Sequence, residues 1–252
     1  MNNPYNPYNN TDNPYNNPYN NTDNSYNIDN PYFYNNTPLI YYIKKNNIQK
    51  VKKLLLDGVD PNEQYEDDQY SETPLCVAIK EKNIPIVKLL LDCENIDLHK
   101  EFDIVETALT KACYMDDDYG LEIIKLLLEK ENSYRENRSY ANVSKGIPEK
   151  PLIINHITYE NDTPIGIASL KGNNKILLFL IENNSQWIPN DYGESPLHIA
   201  AKRGNNETIK ILLDKKICDI DIKINDTHIS RISTHTPLIS AIQGNKISTV
   251  KL

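Results

Sequence analysis

The side chains able to do chemistry are few and scattered. Five histidines, His99, His156, His198, His228 and His235, and four cysteines, Cys76, Cys93, Cys113 and Cys218, are the candidate bases, nucleophiles and soft metal ligands. No two histidines stand at metal-ligand spacing, and no C-x-x-C occurs to hold zinc or cycle a disulfide. The phosphate-cradling G-x-x-x-x-G-K-[ST], the G-x-S-x-G elbow, H-E-x-x-H and G-x-G-x-x-G are all missing. Asp116-Asp117-Asp118 has the charge to hold a divalent cation, but a solvated turn is the plainer reading. The expectation is a protein that is not an enzyme, with no cofactor and no metal, whose cysteines are small buried side chains.

A net charge of −8 argues against a nucleic-acid partner, which calls for a basic surplus. No basic and apolar leader follows the first methionine. The longest strongly apolar run, Ile176 to Ile181, is far short of the roughly 20 residues that span a bilayer. An intracellular, cytoplasmic protein without a membrane span is expected.

The elements that must position any functional group begin after a biased tail. Residues 1–36 hold 15 Asn, 7 Tyr and 5 Pro and no Lys, Arg or Glu. Such a segment has almost no apolar face to repay about 1–2 kcal/mol per residue of backbone ordering. It reads as a disordered low-complexity tail of the kind that also drives self-association. That leaves assembly through the tail as one possible role.

From residue 37 the chain repeats. Thr37-Pro38-Leu39, Thr73-Pro74-Leu75, Thr107-Ala108-Leu109, Thr163-Pro164-Ile165, Ser195-Pro196-Leu197 and Thr236-Pro237-Leu238 open six units spaced 36, 34, 56, 32 and 41 residues apart. Thr or Ser caps a helix, and Pro at its first position gives up no needed hydrogen bond. After each short helix comes a residue that tolerates left-handed φ, taken as Asn46, Gly120, Gly172, Gly204 or Asn245. A second helix follows, such as Ile86-Val87-Lys88-Leu89-Leu90-Leu91, with apolar residues on one broad face. Helices of about ten residues are marginal alone, so the units must stack to bury that face.

The chain here resembles the ankyrin repeat family, whose marks are a period near 33 and the phrase T-P-L-H-x-A. Ser195-Pro196-Leu197-His198-Ile199-Ala200 is the nearest copy, with Gly204 at the inter-helix position, and Asp57-Gly58-Val59-Asp60-Pro61-Asn62 is similar to the family's exit from the second helix. The resemblance implies an all-α solenoid of helix-turn-helix units with β-hairpin fingers over about 37–252. The family's His stands only at His198. The Thr–His hydrogen bonding of that turn is therefore expected to be mostly absent and the repeats less stable for it.

Two irregularities remain. About 23 extra residues within 131–162 read as a long loop, with Leu152-Ile153-Ile154-Asn155-His156-Ile157 as a candidate strand. The sixth unit also breaks off in its second helix, leaving Leu238, Ile242, Val250 and Leu252 short of cover. That implies a repeat that frays, cover by another chain or, the favoured reading, a fragment of a longer protein.

Ankyrin-like proteins bind macromolecules through hairpin tips and the concave face of the first helices. Carried over position by position, the resemblance implies a partner-binding surface of Tyr70, Tyr114, Met115, Tyr159, Asp162, Asp191, Tyr192, Lys202 and Arg203. Its helix row is mostly basic, with Lys44, Lys45 and Lys80, and its tips are acidic and carry tyrosines. The expected function is a non-catalytic protein–protein interaction scaffold for an unidentified protein partner. The alternative is a targeting module, of an enzyme or a ubiquitin-ligase-type adaptor, whose active domain lies beyond Leu252.

Overall fold

The computed structural model describes residues 37–66, 71–101, 106–142, 152–158, 162–224 and 235–252. The tail, with its expected disorder, lies outside them. Six helix pairs stack in order: α1 (Pro38–Lys44) and α2 (Ile48–Leu56), α3 (Pro74–Lys80) and α4 (Ile84–Leu91), α5 (Ala108–Tyr114) and α6 (Asp117–Asn142), α7 (Pro164–Lys171) and α8 (Asn174–Glu182), α9 (Pro196–Arg203) and α10 (Asn206–Asp214), α11 (Pro237–Gln243) and α12 (Ile247–Val250). The first helices pack on one another in one layer, α1 through α11, and the second helices form the other. One antiparallel pair, β1 (Tyr65–Glu66) with β2 (Ser71–Glu72), joins the first two units, Tyr65 opposite Glu72.

Five of the six openings do what their residues dictate, whereas Thr236 makes no side-chain cap hydrogen bond. The hydroxyls of Thr37, Thr73, Thr107 and Thr163 and of Ser195 accept the backbone N–H three residues on. The reciprocal bond, from the cap's own N–H, is made by His198 in the fifth unit and, unexpectedly, by Thr110 in the third, whose Oγ1 accepts from Thr107 N at 2.8 Å. A hydroxyl on a short side chain thus replaces the imidazole. The turn after each first helix passes through positive φ at Asn46, Lys82, Gly172, Gly204 and Asn245.

The third unit departs from the expected turn. Gly120 lies inside α6 and has no positive φ. Its role is close approach: a Cβ there would stand 2.4 Å from the Ala112 carbonyl oxygen and 2.8 Å from Ile176 Cδ1. Asp116, Asp117 and Asp118 are engaged across repeats. Lys82 pairs with Asp116 and Lys175 with Asp118. Asp117 accepts the N–H groups of Lys175 at 3.0 Å and Ile176 at 2.9 Å, capping α8 of the next unit. This frees Asn173 to donate to the carbonyls of Cys113 (3.0 Å) and Met115 (2.7 Å) at the end of α5. Asn205 does the same for Ser169 and Leu170 one unit later.

The extra residues are not a loop throughout, because α6 runs on to Asn142 and Ile153–Asn155 forms a single 3-10 turn rather than a strand. No Gly or Pro interrupts residues 121–142. Tertiary anchors hold the extension as well. The Tyr134 hydroxyl lies 3.1 Å from the Glu94 carbonyl oxygen and 3.2 Å from that of Ile96. Buried Glu131 accepts the Ile153 N–H at 3.0 Å, with Arg135 at 3.6 Å.

The core runs through the middle of the stack, where Ile79, Ile86, Leu90, Leu109, Ile123, Ile124, Leu127 and Ile165 are fully buried. It thins at the end: α12 buries no residue, and Leu238 and Ile242 are 53 % and 59 % exposed.

Candidate binding groove

The tip that precedes α9 is built by Asn190. Its side-chain oxygen accepts the N–H groups of Tyr192 (3.1 Å) and Glu194 (2.9 Å), and its backbone N–H donates to the Glu194 carbonyl at 3.2 Å. Gly193, at φ 71°, closes the turn. The result holds the Tyr192 ring out into solvent, 62 % exposed, while Glu194 folds back and is buried. In the preceding unit the Asp162 carbonyl accepts the Thr158 N–H at 3.1 Å and the Asp162 N–H donates to Thr158 Oγ1 at 3.2 Å.

Between these two tips and the helices behind them lies an open groove of about 320 Å³. Leu170 of α7 and Ile199 of α9 give it an apolar floor. Asp162, Asn190, Tyr192 and Glu194 form its tip side, and Lys202 and Arg203 its helix side. Lys202 Nζ donates to Glu194 Oε1 at 2.9 Å.

The same tip-to-helix pairing recurs at the other end of the row. Glu72 takes Lys80 at 2.8 Å and Lys44 at 3.2 Å, joining two first helices. Burial works to raise the Glu72 carboxyl, but the Lys80 hydrogen bond and the charges of both lysines outweigh it and hold it below the usual range. The basic row and acidic tips expected from the sequence therefore neutralise each other in part.

Four of the expected surface residues, Asp162, Tyr192, Lys202 and Arg203, come together in this groove. Asp191 is exposed beside Tyr192 without lining it. Tyr114 and Met115 sit half-buried at the end of α5, with Lys171 Nζ 6.0 Å from the Tyr114 ring centre, and do not line the groove either. Tyr70 and Tyr159 lie outside the described residues. Leu170 and Glu194 fall at helix-face and tip positions of the repeat register, and Asn190 and Ile199 are the members that sequence reasoning missed. The turn pattern Asn190-Asp191-Tyr192-Gly193 was the available signal for the first.

Three of the four cysteines and His198 are placed in the core, whereas Cys93, expected to be buried, is only half-buried. Burial pushes the Cys76 thiol up to about 12 and that of Cys218 up to about 11, and raises Cys113 as well, so these thiols stay protonated. His198 is fully buried between Ser195 and the His235 carbonyl. Among the described residues no helix is long and apolar enough to cross a membrane.

Comparison with known proteins agrees with this architecture. The family description "Ankyrin repeats (3 copies)" matches residues 16–102, 39–138, 143–226 and 165–252, so the chain belongs to the ankyrin repeat family. The repeats of this family are generally protein–protein interaction modules. Among matching solved structures is the ankyrin repeat protein EF0377, with a TM-score of 0.63 and 21% identity over 85% of this chain and 94% of that one. At that identity the likeness is one of fold. No curated protein matches.

Proposed function

We propose that the chain is a non-catalytic protein–protein interaction scaffold that seats a protein partner on the first-helix face and tips of its third to fifth repeats. The observation that carries this reading is the groove between α7 and α9, where an exposed tyrosine on a braced turn faces an exposed arginine across an apolar floor. Tyrosine and arginine supply large contact area at low ordering cost and dominate binding hot spots. Tyr114 and Met115 extend the same face by one repeat. The face works by presenting side chains, and three of the chain's four cysteines are buried thiols, which supports a non-catalytic reading without cofactor. Residues 1–36 would act as a separate tail, and 37–252 as the binding domain.

The test is capture from native lysate by the full chain and by its Tyr192→Ala/Arg203→Ala variant. A partner retained by the first and lost by the second, with both folded by circular dichroism, supports the reading. Equal capture by both would sink it.

A second reading, that the stack is the targeting module of a longer polypeptide, is favoured by the apolar outer side of α11 and α12, where Leu238, Ile242, Val250 and Leu252 are all exposed. An intact native mass well above 29.0 kDa supports it.

A further inference from the structure

Four charged residues line the groove between α7 and α9, and three of them are already engaged. Lys202 and Glu194 hold each other at 2.9 Å. Asp162 has polar partners of its own. Arg203 is exposed and makes no ion pair or hydrogen bond among the described residues. The groove therefore has one unsatisfied charge, and it is a planar guanidinium suited to gripping a carboxylate with two parallel bonds.

The apolar floor fixes where the rest of a ligand must go. Ile199 and Arg203 are four residues apart on α9, so their side chains lie on one face with Cβ atoms about 5–6 Å apart. In an extended peptide, side chains two residues apart point the same way about 6.6–7 Å apart. An acidic residue placed on Arg203 thus sets the residue two positions away over Ile199 and Leu170, with the Tyr192 ring as a wall beside it.

We infer that this groove is a subsite for an extended protein segment carrying an acidic residue two positions from an aliphatic or aromatic one. The inference rests on the scaffold reading above and names the partner chemistry for it. A carboxylate fits better than a phosphate, because Asp162 and Glu194 share the groove and repel a second negative charge. A basic segment gains less, because Glu194 is held by Lys202 and Asp162 has interactions of its own.

The probe is an array of synthetic nonapeptides with one fixed pair, Glu-x-Leu or Glu-x-Phe, in randomised surroundings. Matched sets carry Gln, Lys or phosphoserine in place of Glu, and the labelled full chain is applied to all of them. The expected result is selection of the Glu sets over the Gln sets by about tenfold. Arg203→Glu should transfer the preference to the Lys sets, and Tyr192→Ala should weaken the Leu and Phe dependence. Equal retention of Glu and Gln sets, a preference for phosphoserine, or an unchanged Glu preference in Arg203→Glu would each overturn the inference. Failure on the array, together with loss of lysate capture in Tyr192→Ala/Arg203→Ala, removes the peptide chemistry and leaves the scaffold reading standing. Failure in both removes both.

Discussion

Nε2 of His198 lies 3.0 Å from the backbone carbonyl oxygen of His235, so one buried imidazole ties the fifth repeat to the strand of chain entering the sixth. The opposite nitrogen, Nδ1, stands 2.8 Å from the Ser195 hydroxyl and 3.3 Å from the Ser195 N–H. That geometry is the neutral tautomer with its proton on Nε2, donating to His235 and accepting from Ser195.

Burial holds the His198 ring below its ordinary value of 6.5, against the opposing pull of the His235 carbonyl. In the unfolded chain the ring takes up a proton near 6.5, whereas the folded chain takes it up only at lower pH. Between those two values the unfolded state binds more protons, so stability falls as pH drops through 6.5. Urea midpoints at pH 7.5 and 5.5 should differ more for the native chain than for His198→Gln. At pH 7.5, His198→Ala should cost about 1–3 kcal/mol, because it leaves the His235 carbonyl and a cap unpartnered.

Gly120 should not accept a side chain. The Cβ of Gly120→Ala meets a backbone carbonyl at 2.4 Å, so the α5–α6 crossing must open, at about 1–3 kcal/mol of overpacking. A denaturation midpoint unchanged from the native chain would contradict this account.

Glu131 is raised by burial, with the Ile153 N–H and Arg135 only partly offsetting it. The folded state therefore holds its proton to higher pH than the unfolded chain. Stability from this residue is fully present below about 4.5 and declines as pH climbs through the folded value. Glu131→Gln keeps an acceptor for Ile153 without the buried charge. It should be at least as stable as the native chain at pH 7, and any advantage should vanish near pH 4, as read by thermal melts at both pH values.

The far half of α6 depends on Tyr134. Removing its hydroxyl contacts to the Glu94 and Ile96 carbonyls in Tyr134→Ala should let the helix fray back from Asn142. Amide exchange over 135–142 should quicken markedly while Ile123, Ile124 and Leu127 keep their protection.

The six openings were legible because cap, proline and first apolar residue are adjacent in sequence and act locally. The extension of α6 was not, since its anchors lie about 40 positions back at Cys93 to Ile96 and 22 forward at Ile153. Gly120 misled for a related reason: glycine marks both positive φ and close approach, and only the α5 and α8 atoms around it decide between them. In the groove, Asp162, Tyr192, Lys202 and Arg203 followed from repeat register alone. Ile199 did not, because it fills the variable position of its phrase and faces the groove only once α7 is beside it.

Asp117 reaches across to the amides of Lys175 and Ile176, nearly sixty positions further along the chain, and sets the start of α8 as though the third and fourth repeats were immediate neighbours in sequence. The relative phase of the third and fourth repeats is therefore fixed at this contact, and a foreign sequence grafted between Asn142 and Leu152 should leave the spacing of the two repeats unchanged.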